Sequence, residues 1–303
     1  MITNNNESLT IKRILLFAKN GQLGWELQQT LSSLGTVIPL DYPEVDFSKP
    51  LSLREVVREH KPDVIVNPAA YTAVDKAESE VDLAIAINRD APLVLAEEAE
   101  RLRIPYLYYS TDYVFGSSDG KPYVETDTPN PLNVYGQSKL EGDLAVMSTN
   151  APVIIQRVAW VYSMRQGGFV TKVLQWARQQ EVLRVVDDQI SNPTSSRTLA
   201  EVSSQILAKI FEHPIEWLQE RRGVYHSVAS GSCSRYEWAE EILANDPRKE
   251  EQKVKILERA KSDEFPTPAT RPLISRLNCD KLYNTFGLRQ ASWKTSLKFM
   301  MES

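Results

Sequence analysis

Short apolar runs alternate with longer amphipathic stretches along the first half of the chain. Within those stretches, apolar residues recur three or four positions apart, as they do on one face of a helix. Buried strands are predicted at residues 14–17, 37–40, 64–66, 106–109 and 153–158, and helices at residues 22–34, 51–60, 81–103 and 138–147. Strands separated by helix-length segments are typical of βαβ units with parallel pairing. The pattern therefore predicts an α/β fold built on a doubly wound parallel sheet.

The alternation becomes less regular after residue 165. Residues 264–272 contain three prolines and cannot form a helix, because proline lacks the backbone N–H and clashes with the preceding turn. We expect a flexible extension over residues 1–10, a first domain over residues 11–165, and a smaller region over residues 166–303 that is interleaved with it. Elements predicted in that region are helices at residues 169–180, 198–211 and 236–244 and a strand at residues 183–186.

Composition and charge exclude several classes of protein. The 303 residues include two cysteines and three widely separated histidines, too few for a disulfide scaffold or for a Cys- or His-based metal centre. A net charge of −5 argues against a nucleic-acid-binding face, which needs a basic patch. No apolar run approaches the ~20 residues that cross a bilayer. We expect a cytoplasmic protein whose partners include neither nucleic acid nor membrane.

A glycine-containing turn follows the first predicted strand. The segment from Ala18 to Gly24 has the pattern G-x-x-G-x-x-G, with Ala18 in the place of the first glycine. Such a turn lets backbone N–H groups at a helix N-terminus approach the pyrophosphate of a dinucleotide. Asp41 follows the second predicted strand, where a carboxylate suits a ribose 2′-hydroxyl. These residues indicate a Rossmann-type cofactor site, and Asp41 alone favours NAD over NADP.

A threonine, a tyrosine and a lysine form the candidate reaction centre. Thr111 follows the fourth predicted strand, and Tyr135 and Lys139 lie four residues apart near the start of a predicted helix, which places them on one helix face. A tyrosine with a pKa of about 10 is a poor proton donor or acceptor at neutral pH, and a nearby ammonium group lowers that pKa. Ligands bind at the carboxyl ends of parallel strands, so the Thr111 hydroxyl can hydrogen-bond a carbonyl oxygen. The three residues predict proton transfer at a carbonyl group.

These motifs, in this order, resemble the extended short-chain dehydrogenase/reductase family. The resemblance runs from about residue 12 to residue 300, and in detail it is most similar to reductases that act on a dTDP-4-dehydro sugar. The segments that carry it are residues 21–27 (GQLGWEL), 67–78 (NPAAYTAVDKAE), 110–115 (STDYVF), 131–136 (PLNVYG), 160–162 (WVY), 188–189 (DQ), 193–194 (PT) and 271–272 (RP).

The resemblance implies a reaction, a cofactor and a set of site residues. The implied reaction reduces the C4 ketone of dTDP-4-dehydro-β-L-rhamnose to dTDP-β-L-rhamnose. NADPH is the implied hydride donor, with NADH also accepted. This implication overrides the preference for NAD that Asp41 alone indicates. Thr111, Tyr135 and Lys139 would be catalytic, with Tyr135 donating the proton and Lys139 keeping its pKa low. Implied cofactor residues are Asn20, Gly21, Gln22, Leu23, Gly24, Asp41, Ala69, Ala70, Tyr135 and Lys139, and implied substrate residues are Thr72, Val74, Tyr113 and Trp160.

Some positions depart from the family pattern or admit two interpretations. Ala18 adds a methyl group where the backbone approaches the cofactor. Some family members form a dimer around Mg²⁺ held by glutamates. Glu26 matches one of these, but Arg197 stands where a further carboxylate is expected, so we expect no structural metal and leave open a monomer or a homodimer. Four residues admit either a site role or an ordinary capping or surface role: Asp75, Glu78, Lys172 and Arg271.

Two alternative functions remain open. A related sugar-nucleotide dehydratase or epimerase is the first, but dehydratases of this kind place a second carboxylate after Asp112, where this chain has Tyr113. An epimerase would also retain its nicotinamide through the cycle. The second alternative is a non-catalytic nucleotide-binding regulatory subunit, like the β subunit of methionine adenosyltransferase, which resembles the same family.

Overall fold

The computed structural model describes residues 11–118, 120–165 and 167–302. Up to residue 158 the main elements are β1 (Lys12–Leu16), α1 (Gln22–Leu31), β2 (Gly35–Pro39), α2 (Leu53–His60), β3 (Val64–Asn67), α3 (Val74–Ala77), α4 (Val81–Ile85), α5 (Ala91–Leu102), β4 (Tyr106–Thr111), α6 (Val134–Ser148) and β5 (Val153–Val158). They are followed by β6 (Val161–Tyr162), α7 (Phe169–Ala177), β7 (Val182–Val186), β8 (Ile190–Ser191), β9 (Thr194–Ser195), α8 (Ser196–Phe211), α9 (Ile215–Gln219), β10 (Gly223–His226), β11 (Cys233–Ser234), α10 (Arg235–Ala244), β12 (Ile256–Ala260), α11 (Asp280–Phe286) and α12 (Trp293–Glu302). A π turn, Ala86–Asp90, joins α4 to α5, and short 3-10 turns cover Pro50–Ser52, Asp112–Val114, Lys249–Glu251 and Ser262–Glu264.

Six of the strands form one parallel sheet in the order β10-β5-β4-β3-β1-β2. The order runs outward from β1 in both directions, which opens a crevice between the carboxyl ends of β1 and β3. The predicted doubly wound parallel sheet is therefore confirmed. One strand of the sheet, β10, comes from the second region of the chain. It pairs with β5 of the first region.

Helices cover both faces of the sheet. On one face, Leu23, Leu27 and Leu31 of α1 pack with Leu199 and Ile206 of α8 against the strands. On the other face, apolar residues of α2, α5 and α6 pack against the same strands. A strand buried on both sides needs a continuous apolar run, which is why the strand positions are visible in the sequence.

A smaller unit is built mainly from the second region, with β6 added from the end of the first. It contains the pairs β7–β12 and β6–β9, which are parallel, and β8–β11, which is antiparallel. Its apolar core includes Tyr162, Trp238, Trp293 and Leu297, and it is separate from the two cores of the main sheet. The prolines after residue 264 lie outside any α-helix, as predicted.

Several predicted boundaries were wrong. Helix α1 ends at Leu31 instead of residue 34, because the hydroxyls of Ser32 and Ser33 donate to the carbonyls one turn back, which competes with helix continuation. Helix α7 likewise ends at Ala177, three residues early. The predicted helix at residues 51–60 starts with a 3-10 turn. Residues 81–103, predicted to carry one or two helices with the second beginning at Pro92, form α4 and α5 joined by the π turn.

The start of α6 differs most from the prediction. The helix begins at Val134, four residues before the predicted start. Asn133 Oδ1 accepts from the Gly136 N–H at 2.8 Å, and Glu78 Oε1 accepts from the Val134 N–H at 2.8 Å. Glu78 thus has a capping role, but it caps a helix that begins 56 residues later instead of its own segment. Tyr135 consequently lies in the first helical turn, where its orientation is fixed.

The longest helix, α8, has 16 residues. None of the helices in the described ranges is both long and apolar enough to cross a bilayer.

Candidate active site

The turn after β1 brings the chain close to the start of α1. Gly21 precedes the first helical residue, and at Gly24 an added Cβ atom would lie 1.9 Å from the Ala18 carbonyl oxygen. Only glycine fits at position 24. The first-turn N–H groups of α1 therefore face the crevice without a side-chain cap from Gly21, an arrangement suited to an anion.

Ala18 adopts a backbone conformation that normally favours glycine. Its φ is +51°, in the left-handed region, where a Cβ atom costs about 1–2 kcal/mol. Alanine in place of the family's glycine therefore has a conformational cost at this position, in addition to the extra methyl group near the cofactor. The neighbouring glycines hold the turn in place despite that cost.

Asp41 lies beside the turn and accepts two backbone hydrogen bonds. Its carboxylate accepts from the N–H of Asn20 at 2.9 Å and from that of Tyr42 at 2.8 Å. The adjacent Lys19 forms an ion pair with Glu44 at 2.7 Å. Asp41 thus helps to fix the turn, and its contact with a ribose stays a prediction.

One cavity of about 370 Å³ brings the glycine turn and the predicted catalytic residues together. It lies at the carboxyl ends of the strands, as doubly wound sheets predict. Thr111 contributes from the end of β4, Tyr135 from the first turn of α6 and Lys139 from the next turn. Other predicted residues on its wall are Gly21, Gln22, Leu23, Gly24, Ala69, Ala70, Thr72 and Trp160.

The pKa of Tyr135 is raised above its ordinary value, contrary to the expected lowering. Burial raises this pKa, and the hydrogen bond with the Thr111 side chain lowers it only in part. Lys139 does not offset the effect of burial, because its Nζ faces away toward β4. There it donates to the Tyr108 hydroxyl at 2.6 Å and to the Tyr109 carbonyl at 2.7 Å.

Lys139 is itself strongly perturbed. Its side chain is 1% exposed, and burial lowers its pKa to about 7, against the opposing effect of Asp143. Asp143 lies one turn further along α6 and pairs with Arg157 at 3.0 Å. A lysine with a pKa near neutrality can change charge during a reaction.

Of the four predicted substrate residues, two line the cavity and a third contacts Tyr135, whereas Val74 is not among the residues that line it. Thr72 and Trp160 line the cavity, and the Tyr113 ring packs edge-on against the Tyr135 ring with centroids 5.6 Å apart. Val74 begins α3 and is half-buried. Trp160 has a positive φ of 42°, and its ring stacks on Trp238.

Sequence reasoning missed Arg235. Its guanidinium stacks on the Trp160 ring at 3.6 Å and lies 4.8 Å from the centre of the Phe169 ring. Burial lowers its pKa to about 10, so it remains a cation at neutral pH. Arg235 lines a second, larger cavity of about 810 Å³, and it contacts Trp160, which lines the first cavity. No signal in the sequence marks this arginine, because it joins the site only through the fold of the second unit.

The second cavity also contains Lys172 and Arg271. Arg271 is held by Asp75 in a two-point ion pair with N–O distances of 2.7 and 3.0 Å. This pair connects the loop after β3 to the proline-rich segment. Much of the Arg271 charge is therefore already balanced, whereas Lys172 and Arg235 have no such ion pair among the described residues.

Asp112 was also missed as a site residue. Its carboxylate is 1% exposed and accepts hydrogen bonds from the hydroxyls of Thr111 at 3.2 Å, Ser191 at 3.1 Å and Ser275 at 2.5 Å. Burial raises its pKa to about 6. The network was hidden in the sequence because its serines lie 79 and 163 residues away.

Within the described ranges, no three His, Cys, Asp or Glu side chains gather as a metal site would require. Glu26 faces Arg197 and Arg165, which lower its pKa, while burial raises it more strongly. The expectation of no structural metal stays a prediction.

Comparisons with known proteins agree with this geometry. The family model of the RmlD substrate binding domain matches residues 12–303. The dTDP-4-dehydrorhamnose reductase of Escherichia coli K12 is 38% identical over 294 residues, which cover 95% of this chain and 96% of that protein. A crystal structure of a dTDP-4-dehydrorhamnose reductase from Clostridium acetobutylicum is 35% identical, with a TM-score of 0.85 and coverage of 96% of this chain and 98% of that one.

A reductase of the same name from Bacillus anthracis, solved in complex with NADP, is 32% identical. Its TM-score is 0.85, and the match covers 97% of this chain and all of that one. The resemblance carried by the sequence motifs is therefore confirmed, and the chain belongs to the RmlD substrate binding domain family.

Proposed function

We propose that this protein catalyses the NADPH-dependent reduction of the C4 ketone of dTDP-4-dehydro-β-L-rhamnose to dTDP-β-L-rhamnose. The observation that carries the proposal is the single cavity shared by the glycine turn, Thr111, Tyr135 and Lys139. The substrate and the reaction are supported by relatives of nearly equal length that are named dTDP-4-dehydrorhamnose reductases.

The residues at the cavity fit a dinucleotide cofactor. The tight approach at Gly24 leaves backbone N–H groups of α1 for the pyrophosphate. Gln22 Oε1 is buried and has no hydrogen-bond partner among the described residues, as expected for an atom that meets a polar ligand. Lys139 would hold the nicotinamide ribose. When bound, NADPH supplies the hydride, and the NADP complex of the B. anthracis relative supports this choice, with NADH as a second accepted donor.

Tyr135 is the proton donor in this mechanism. Its raised pKa keeps the phenol protonated at neutral pH, so a proton is available to the alkoxide oxygen that develops on the substrate. Thr111, which is hydrogen-bonded to Tyr135, is placed to hold the same oxygen. Without substrate the Thr111 hydroxyl donates to Asp112 at 3.2 Å, so it would turn to the substrate oxygen as the substrate binds. Thr111 and Tyr135 then both donate to that oxygen and stabilise the developing charge.

The nucleotide part of the substrate fits the second cavity. Lys172 and Arg235 provide positive charge for the diphosphate, and Phe169 and Trp176 provide aromatic surface for a base. Residues 166–303 contribute most of this cavity, which supports their assignment as the mainly substrate-binding region. We further infer that the enzyme acts in the cytoplasm as a monomer or homodimer, without a nucleic-acid or membrane partner.

The same contacts argue against the alternatives. The Asp112 carboxylate accepts three hydroxyl hydrogen bonds and is followed by Tyr113 instead of a second acid, which does not suit a dehydratase. A regulatory subunit would not need Thr111, Tyr135 and Lys139 at one cavity.

The test is NADPH oxidation followed by absorbance, with dTDP-4-dehydrorhamnose generated in situ by the two preceding enzymes. We expect rapid oxidation by the wild type and a loss of at least about 100-fold in kcat for Tyr135→Phe, with near-normal NADPH binding. Tyr283→Phe, at an exposed tyrosine on α11, is the matched control and should retain full activity. Equal turnover by wild type and Tyr135→Phe would exclude this mechanism, and no turnover by a wild type that binds NADPH would exclude this substrate.

A further inference from the structure

Behind the catalytic side chains lies a buried hydrogen-bond chain that the proposed mechanism does not use. Lys139 Nζ donates to the Tyr108 hydroxyl at 2.6 Å, and the Tyr108 hydroxyl donates to the Asn88 carbonyl at 3.1 Å. Tyr108 and Asn88 are 0% exposed. The chain therefore runs from the cavity into the protein interior between β4, α6 and the π turn.

The direction of these hydrogen bonds determines whether donors or acceptors face the Lys139 amine. Because Tyr108 uses its hydrogen for the Asn88 carbonyl, its oxygen presents only lone pairs to Nζ. The Tyr109 carbonyl, at 2.7 Å from Nζ, is also an acceptor. The Tyr108 ring face adds a cation–π contact, with Nζ 4.2 Å from its centroid. All three contacts favour the ammonium form, and an ammonium group has one further N–H for a ligand in the cavity.

The surrounding backbone is built to hold this arrangement. At Gly142 an added Cβ atom would lie 2.0 Å from the Asn88 carbonyl oxygen and 2.9 Å from the Tyr108 hydroxyl, so glycine allows α6 to approach the π turn. The Asn88 side chain donates to the Ser138 hydroxyl at 3.0 Å, which connects the turn to α6 a second time. The acceptors of Lys139 are thus fixed on two sides.

We propose that Tyr108 is a positioning residue whose hydroxyl holds the Lys139 side chain at the cavity wall and keeps it in the ammonium form during turnover. The inference rests on the proposed reductase function for its kinetic test. Tyr108 touches neither the reacting atoms nor the cofactor residues other than Lys139, so it acts through Lys139.

The other ionisable groups near Lys139 do not replace this contact. On α6 they are Tyr135 and Asp143, and on β5 Arg157 pairs with Asp143 at 3.0 Å and so compensates the carboxylate that would otherwise favour the ammonium. On β4 the neighbouring phenol is Tyr106, stacked behind the Tyr108 ring with centroids 6.0 Å apart. The π turn presents the uncharged Asn88.

The kinetic test compares Tyr108→Phe with Tyr106→Phe. Both variants remove one buried hydroxyl from the same strand, but the Tyr106 hydroxyl contacts Asn67 at 3.2 Å and lies away from Lys139. The specificity constant kcat/KM for NADPH is measured for each variant from pH 6 to pH 9. Loss of a hydrogen bond to a charged group should lower the pKa of Lys139 by about one unit, so the basic limb of the Tyr108→Phe profile moves to lower pH by about one unit. We expect kcat/KM to fall about twofold at pH 6 and about tenfold at pH 8 and above.

A second measurement is independent of turnover. Urea unfolding of wild type, Tyr108→Phe, Lys139→Met and the double variant at pH 6 forms a cycle, in which we expect the two substitutions to be clearly non-additive. If the wild type turns over and the basic limb of Tyr108→Phe coincides with that of Tyr106→Phe, the inference is overturned. An additive cycle overturns it as well. If the cycle is non-additive but the wild type shows no turnover, the Tyr108–Lys139 interaction is supported and the proposed substrate is rejected.

Discussion

Asp112 connects Thr111, which we propose to be catalytic, to two distant segments of the chain. Its Oδ1 accepts from Thr111, and its Oδ2 accepts from Ser191 and Ser275. Because Thr111 gives its hydrogen to Asp112, the lone pairs of the threonine oxygen remain for the Tyr135 hydroxyl. We therefore expect the orientation of Tyr135, the proposed proton donor, to depend on serines supplied by the second region.

The buried carboxyl of Asp112 should make stability depend on pH. Burial raises its pKa from 3.8 to about 6. At pH 3 and below the group is mostly protonated in both folded and unfolded chains, and as the pH rises to 6 the unfolded chain ionises first, so folding loses stability. A shift of this size corresponds to on the order of 3 kcal/mol. The unfolding free energy of wild type relative to Asp112→Asn should fall by about that amount between pH 3 and pH 7, as measured by urea denaturation.

The difference between the two proteins isolates the contribution of Asp112, since their other titrating groups are shared. Asp82→Asn, at an exposed position in α4, serves as the control, and its difference from wild type should stay constant over the same range. A pH-independent difference for Asp112→Asn would contradict the prediction.

Individual site residues were predictable only where their signal is local. Thr111, Tyr135 and Lys139 follow a fixed spacing between a strand end and a helix start, so the sequence alone identifies them. Arg235 and Asp112 gain their roles from partners far away in the chain, such as Trp160 and Ser275. The raised pKa of Tyr135 was also unpredictable, because it depends on burial and on the direction of the Lys139 side chain.

Among the elements, the contact between α6 and the π turn leaves no room for an added side chain. Gly142→Ala would place a Cβ atom 2.0 Å from the Asn88 carbonyl oxygen, so the two elements must separate. We expect a loss of about 1–3 kcal/mol in the free energy of unfolding, measured in urea. Without the clash, the same change within a helix would stabilise the protein.

A control for this substitution is Gly167→Ala, because its added Cβ has no atom of the described residues within 4 Å apart from its chain neighbours. That variant should unfold within about 0.5 kcal/mol of the wild type. Increased stability of Gly142→Ala would show that α6 and the π turn do not need their close approach.

Strands were predicted more accurately than helix ends. A strand of the central sheet is buried on both faces and so appears as a contiguous apolar run, as at Val153–Val158, where both bounds were correct. The start of α6 depends instead on Asn133 and on Glu78, which lies 56 residues before the N–H it accepts from. Apolar periodicity carries no information about such a contact.

For the whole molecule, the two regions share one sheet. Strand β10 completes the edge beside β5, and α8 covers α1 with Leu199, Ile206 and other buried residues. A fragment ending at residue 165 would expose this apolar face to water. We expect the fragment to lack a cooperative thermal transition by circular dichroism and to aggregate, whereas the full chain melts cooperatively. A cooperative transition in the isolated fragment would show that residues 11–165 fold alone.

The burial of Lys139 also couples ligand binding to the solvent. With a pKa of about 7, its amine is protonated in about half of the molecules at neutral pH. An anionic ligand that requires the ammonium form draws a fraction of a proton from the buffer as it binds. The heat of that association then includes the ionisation enthalpy of the buffer, so two buffers at the same pH give different apparent enthalpies for one and the same complex.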